Sequence, residues 1–245
     1  MEPIYTENFT ITHTAVDRFQ RLKLSQLLAL CQEVAGSHFA ILNADKESLE
    51  EKGLFWAVIR TRVQISRLPC PGESITVQTW PMPTTRVAYP RAVEAVDEQG
   101  QILFRCVSLW VLMDVSTRAM VLPGKSGVGV AGISRGTEIP PPASLVPKPL
   151  EGRQQRQVRY TELDVNGHMN NTRYLDWVDD LLPGVFHRDH PAAEFTVCYL
   201  SEAVEGEMVE LHYALDDGNS LRVDAHRSGG TEKPERVFSA QMIFA

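Results

Sequence analysis

The sequence predicts an α+β protein that repeats one plan twice, each copy an antiparallel sheet with a single helix. Three observations predict it. A Gly/Pro-rich stretch divides the chain. The two flanks echo each other at an offset of 134 residues. Each flank runs strand, helix, then several strands.

The dividing stretch, 124–149, holds five glycines and five prolines, including Pro140-Pro141-Pro142. No helix or central strand tolerates that, so it reads as a semi-rigid linker. It separates a first repeat, 1–123, from a second, 150–245. On the first flank Arg62-Val63-Gln64-Ile65 leads to Pro71-Gly72-Glu73 and Ile75-Thr76-Val77. On the second, Thr196-Val197-Cys198-Tyr199 leads to Glu205-Gly206-Glu207 and Val209-Glu210-Leu211. The same offset carries Leu103-Phe104-Arg105-Cys106 onto Val237-Phe238-Ser239-Ala240. This is read as an internal duplication.

Each repeat opens with a short strand, expected over Asn8–Thr14 and Gln155–Tyr160. A helix follows. Leu24, Leu27, Leu28, Cys31, Val34 and Ala35 recur at helical spacing in the first repeat, and Tyr174, Trp177, Val178 and Leu181 in the second. The second helix is expected over Thr172–Leu182, stopped by Pro183-Gly184. Val209, Leu211, Tyr213 and Leu215 alternate with polar residues, as in a strand with one wet face. Asp217-Gly218-Asn219 and Gly229-Gly230 read as hairpin turns. Leu103–Met113, nearly all apolar, reads as a strand covered on both faces. A lone helix can bury its stripe only on that sheet. This is the hot-dog arrangement, and two copies in one chain would make an intramolecular pseudo-dimer.

A length of 245 residues suffices for real cores. A net charge of −7 argues against nucleic-acid binding and a polybasic membrane anchor. No apolar run is long enough to span a membrane. Met1-Glu2-Pro3-Ile4-Tyr5 has neither the basic nor the apolar region of a signal peptide. Cys31, Cys70, Cys106 and Cys198 form no CxxC pair. They read as free thiols in a reducing cytoplasm.

Asp164-Val165-Asn166-Gly167-His168-Met169-Asn170-Asn171 gathers a carboxylate, three amides and an imidazole just before the second helix. A helix cap needs one such residue; this group exceeds that need. His168 suits general acid–base chemistry near neutral pH. Asn166 could donate to a carbonyl or place a water, Asp164 could orient either, and Gly167 allows close approach. Backbone N–H groups near Gly167 and the helix start could hold a developing oxyanion. No G-x-S-x-G elbow lies nearby and no Cys neighbours a His, so acyl chemistry here would use water rather than a covalent acyl-enzyme. At the repeat offset, Glu202 replaces Leu68 and Ala203 replaces Pro69. The first helix is preceded by Phe19-Gln20-Arg21-Leu22-Lys23, with no acid–amide–imidazole set. One half thus carries a site that the other lacks.

Other motifs read as bland. Gly127-Val128-Gly129-Val130-Ala131-Gly132 matches G-x-G-x-x-G, but a proline run follows where a dinucleotide site needs a helix. His187-Arg188-Asp189-His190 reads as a surface loop rather than a metal site. No metal or cofactor is expected.

The 164–171 stretch with Tyr174 resembles the Asp-x-x-x-His-x-Asn-Asn-x-x-Tyr signature of hot-dog thioesterases. Ser66-Arg67-Leu68-Pro69-Cys70-Pro71-Gly72-Glu73, Thr79-Trp80-Pro81 and Ser108-Leu109-Trp110-Val111-Leu112-Met113-Asp114 resemble the first repeat of the acyl-ACP thioesterases. The resemblance runs from about Asn8 to Phe244. It lacks the transit peptide of plant members, as a bacterial member would. It implies functional roles for Asp164, Asn166 and His168. It also places a catalytic glutamate on Glu202, in Cys198-Tyr199-Leu200-Ser201-Glu202-Ala203, where plant members read Glu-Tyr-Arg-Arg-Glu-Cys. The plant cysteine falls on Ala203, so no thiol is required there.

The resulting expectation is a double hot-dog that hydrolyses fatty acyl-ACP by water attack. Asp164, Asn166, His168 and Glu202 would be catalytic. Gly167, Asn170, Asn171, Trp56 and Trp80 would contact substrate, with the acyl chain in a pocket shaped by the first repeat. The partner would be acyl carrier protein with its phosphopantetheine-linked chain, met by basic residues among Arg60, Arg62, Arg67, Arg86 and Arg91. Two other readings share these residues: a thioesterase for acyl-CoA or aromatic acyl-CoA, and a non-catalytic module binding acyl chains or CoA. Chain-length preference and oligomeric state, homodimer included, stay open.

Overall fold

The computed structural model describes residues 3–135, 139–216, 219–229 and 235–245. The chain divides into two compact units, Met1–Pro142 and Ala143–Ala245, the break falling at the end of the proline run.

The first unit runs β1 (Tyr5–Thr10), α1 (Leu24–Ile41), α2 (Lys46–Glu50), β2 (Leu54–Ile65), β3 (Ser74–Pro81), β4 (Tyr89–Asp97), β5 (Ile102–Asp114), β6 (Met120–Val121) and α3 (Pro123–Ser126). Its strands order β1-β3-β4-β5-β2, antiparallel, with β6 beside β5. α1 buries Leu24, Leu27, Leu28, Cys31, Val34, Ala35, His38 and Phe39, one stripe at 3–4 residue spacing, against β1 and β3. Leu27 and Val34 are fully excluded from water, each worth roughly 1.5–3 kcal/mol of burial. β5 lies between β4 and β2 and is buried on both faces over much of its length, as its continuous apolar run predicts.

The second unit runs β7 (Gly152–Gln157), α4 (Arg173–Asp179), α5 (Gly184–Asp189), β8 (Ala192–Tyr199), β9 (Met208–Asp216), β10 (Ser220–Arg227) and β11 (Arg236–Phe244). Its strands order β8-β11-β10-β9-β7, antiparallel. α4 buries Tyr174, Leu175, Trp177 and Val178. The Tyr174 ring lies 4.6 Å from Phe238 of β11 and 5.8 Å from Tyr199 of β8. Each unit is the expected α+β hot-dog unit, few helices on a large antiparallel sheet.

Several boundaries differ from expectation. β1 and β7 begin and end three or four residues early. Thr10 pairs with Ser74 and Gln157 with Met208, the first residues of β3 and β9; Ile11 and Val158 then bond to the turns that lead into those strands. A 3-10 turn follows each, at His13–Ala15 and Tyr160–Glu162. The second helix is cut short at Asp179, and Pro183 does not end it but stands at the N-cap of α5. Proline lacks the N–H that a helix start cannot use anyway. His187 therefore lies on a helix, not in a loop, with its Nε2 on Asp179 O at 2.8 Å; His190, at the cap, has Nδ1 on Phe186 O at 3.1 Å. The Asp217-Gly218 turn and Gly230 lie outside the described residues; Gly229 takes φ +84°.

Parts of the 124–149 stretch pack against the units they adjoin. Val128 and Val130 fill an aromatic cluster with Phe39, Tyr89, Trp56 and Trp110, which is what the G-x-G-x-x-G match turns out to serve. A Cβ at Gly132 would meet the Met82 carbonyl oxygen at 2.1 Å. Beyond the break, Arg222 and Arg236 donate to the carbonyls of Val146 and Leu145 at 3.0 and 3.3 Å, and Lys148 meets Asp216 at 2.6 Å. The four cysteines are free. The Cys31 thiol is pushed well up by its hydrogen bond with the Cys106 thiol and by burial, so it stays protonated.

Candidate active site

Asp164 shapes the loop that carries the polar cluster. Its Oδ1 accepts the N–H groups of Asn166 (2.8 Å) and His168 (3.2 Å). Its backbone N–H donates to His168 O at 2.7 Å, and its carbonyl accepts from Gly167 N at 3.1 Å. Such a closed turn requires a left-handed residue, and Gly167 supplies it at φ +77°. Leu163 and Met169 form an antiparallel bridge at the base.

The first unit builds the same loop. Asp17 Oδ1 accepts the N–H groups of Phe19 (2.8 Å) and Arg21 (2.9 Å), Asp17 N donates to Arg21 O at 2.8 Å, and Gln20 takes φ +62°. The matching offset here is 147, carrying Tyr5–Thr10 onto Gly152–Gln157 and Asp17 onto Asp164. The first repeat lacks the acid–amide–imidazole set, as expected, but shares its acid. The acid is present in both loops; Phe19 and Arg21 stand where Asn166 and His168 do.

The Glu202 segment keeps the 134 offset. Leu200 and Ser201 donate to Val237 O at 2.9 and 3.1 Å, as Ser66 and Arg67 do to Leu103 O. Met169 N donates to Ala203 O at 2.8 Å, as Leu22 N does to Pro69 O at 2.9 Å. His168 bridges Val204. These bonds bring His168 Nε2 to 3.4 Å from Glu202 Oε2. The two side chains are 22% and 49% exposed, open to a substrate. An imidazole and a carboxylate in contact can hold a water and pass its proton.

Two expectations about donors change. The N–H groups of Asn166, Gly167 and His168 are all taken by Asp164, and at the start of α4 Asn170 accepts the N–H groups of Thr172 and Arg173. These N–H groups are engaged within the protein. The Asn166 side-chain amide, on an exposed residue, has no hydrogen-bond partner among the described residues and is the donor left over. Asn170 Oδ1 accepts from Thr172 N and Oγ1, both at 2.9 Å, so it is engaged in the helix start. Asn171 offers its carbonyl to Tyr199 Oη at 3.2 Å. Burial pushes the Tyr174 phenol up, so it stays protonated and is no base.

Sequence reasoning missed Glu162. It accepts Trp177 Nε1 at 2.6 Å and Asn170 N through its carbonyl at 2.8 Å, tying α4 to the loop. Its place in a three-residue 3-10 turn gave no periodic signal.

The remaining candidates lie in the first unit. Trp56 stacks on Phe39 at 4.8 Å with its Nε1 on Ala44 O at 2.7 Å. Trp80 is 1% exposed with Nε1 on Arg135 O at 3.1 Å. Both are walls of the core. Arg91 is 1% exposed and drops out of any surface patch. Its guanidinium lies 4.1 Å over Phe39 and meets His38 Nδ1 and Thr79 Oγ1, each at 3.1 Å. Arg67 is paired with Glu73 (2.8 Å) and Asp97 (3.5 Å), while Arg60 and Arg62 are half-buried and Arg86 is exposed.

Family models match in two pieces: the acyl-ACP thioesterase N-terminal domain over residues 2–122 and its C-terminal domain over 149–236. The dodecanoyl-[acyl-carrier-protein] hydrolase of Cinnamomum camphora is 28% identical over 181 residues, 70% of this chain and 47% of its own length. The palmitoyl-acyl carrier protein thioesterase of Gossypium hirsutum is 25% identical over 240 residues, 89% and 56% of the two chains. The chain thus spans about half the length of the curated relatives it matches. The crystal structure of an acyl-ACP thioesterase from Bacteroides thetaiotaomicron superposes with a TM-score of 0.91, 23% identity and coverage of 99% and 98%. That of the 12:0-ACP thioesterase from Umbellularia californica gives 0.84 and 23%, with coverage of 100% and 98%. With both domain models falling in order on the two repeats, the chain belongs to the acyl-ACP thioesterase family.

Proposed function

We propose that this chain hydrolyses the thioester of a fatty acyl group on acyl carrier protein, releasing free fatty acid and the carrier's phosphopantetheine thiol. The observation that carries the reading is the 3.4 Å contact of His168 Nε2 with Glu202 Oε2, with Asn166 held in the same Asp164 turn as His168. Family membership and the names of the relatives support the substrate class.

A water held between Glu202 and His168 attacks the thioester carbon while its proton passes to that pair. Negative charge develops on the carbonyl oxygen, and the Asn166 side-chain N–H donates to it. The C–S bond breaks with its electron pair on sulfur, and the pair returns the proton to the thiolate. Asp164 acts through the backbone, holding Asn166 and His168 in one turn. A buried Ala203 next to Glu202 offers no nucleophile, which fits hydrolysis without an acyl-enzyme. The first repeat is assigned the acyl chain, and Arg60, Arg62 and Arg86 the acidic carrier. A reducing cytoplasm suits the free thiols.

The test is free-thiol release from matched panels of acyl-ACP and acyl-CoA. Turnover of acyl-ACP should exceed that of the same acyl-CoA by about tenfold or more in kcat/KM. Equal or faster use of CoA would overturn the carrier assignment, and no release from any substrate would leave only acyl binding.

A further inference from the structure

The two repeats stabilise the turn after the β2 or β8 strand with a glutamate that accepts a guanidinium. In the first repeat Glu73 Oε1 accepts Cys70 N at 3.0 Å and Arg67 Nη1 at 2.8 Å, and Arg67 also faces Asp97 at 3.5 Å. In the second, Glu207 Oε2 accepts Val204 N at 3.1 Å and its Oε1 pairs with Arg227 Nη1. The glutamates correspond at the 134 offset. The arginines do not.

Strand register shows what happened to them. Ile75 pairs with Asp97 and Val209 with Arg227, so Arg227 stands in the place of Asp97. The backbone agrees: Asp97 N donates to Gln101 O, and Arg227 N to Glu235 O. Ser201 stands in the place of Arg67. The guanidinium has moved from the turn to the strand end, where its Nε also faces Glu235 at 3.2 Å. The move has a consequence that only the second repeat shows. Arg227 Nη2 now donates to the backbone carbonyl of Glu202 at 2.8 Å, while a small serine precedes Glu202. The same clamp fixes Val204, the bridge partner of His168.

We propose that Arg227 is a positioning residue that aims Glu202 at His168, by binding the Glu202 carbonyl and the Glu207 carboxylate at once. The proposal rests on the reading of Glu202 and His168 given above. A planar guanidinium presents separate Nη1 and Nη2 donors in a fixed fork to the two acceptors, whereas an ammonium offers a single nitrogen.

The experiment is a double-mutant cycle on acyl-ACP hydrolysis with kcat and KM read separately. Arg227→Gln and Arg227→Lys should each lower kcat by about tenfold or more with KM within about threefold. In a Glu202→Gln background, Arg227→Gln should lower kcat by less than about twofold, because the group it aims is already gone. The double variant combining Ser201→Arg with Arg227→Asp rebuilds the first repeat's clamp. It should keep the wild-type thermal midpoint within a few degrees yet lose kcat as Arg227→Gln does. A fully active double variant overturns the proposal, as does a loss from Arg227→Gln that is equally large in the wild-type and Glu202→Gln backgrounds. Wild-type turnover by Glu202→Gln alone would instead remove the underlying site, and with it any group for Arg227 to aim.

Discussion

Asp164 and Asp17 accept backbone N–H groups in the same pattern in loops of the same shape, yet only one loop carries an amide and an imidazole. Loop shape and loop chemistry therefore separate at the residue scale. Asp17→Ala and Asp164→Ala should each lower unfolding free energy in urea by about 1–2 kcal/mol, since two donors lose their acceptor. Only Asp164→Ala should also lower thiol release; equal losses of activity from both would contradict the separation. Asn166 and His168 stood out in the sequence because polar residues crowd there beyond what a cap needs, and Glu202 because it replaces Leu68 at the repeat offset and falls on the family's glutamate. The orienting part expected of Asp164 was readable from its loop; its counterpart Asp17 was not, because it lies at offset 147 while the strands after the helix align at 134. Arg227 was hidden for a related reason: it takes the place of Asp97 at an offset of 130, although the strand pairing is the same.

At the element scale, helices were legible by their apolar stripes and their ends were not. α1 holds its stripe over 18 residues, whereas α4 stops after 7. Trp177 and Tyr174 gave the right face, but the length was set by tertiary contacts that no local signal reports. Arg91 marks the packing of α1 on β4. Burial lowers its guanidinium pKa to about 9, since water no longer solvates the charge and no carboxylate is among its bonded partners. The sign follows. Above about pH 9 the native state sheds a proton that the unfolded chain still holds, so native stability rises with pH there. Arg91→Met should be at least as stable as wild type at pH 7 by urea unfolding, because a buried charge is replaced by apolar volume. The difference should shrink as pH passes 9 towards 10. A large loss on Arg91→Met, or a difference that ignores pH, would contradict this account.

At the scale of the whole molecule, the chain is one plan used twice with 13 fewer residues in the helical region of the second copy, the gap between offsets 147 and 134. The first copy keeps the longer helix, the aromatic cluster of Phe39, Trp56, Tyr89 and Trp110, and a clamp with its arginine in the turn. The second keeps a short helix and has placed Asn166, His168 and Glu202 on the shared loops. The central claim is that these three groups form one hydrolytic site. It is tested most directly by free-thiol release from acyl-ACP in wild type, Asn166→Ala and Glu202→Ala, with folding checked by thermal midpoint. Release should fall at least about a hundredfold in each variant while the midpoint stays near wild type. Unchanged release in both folded variants would contradict the site.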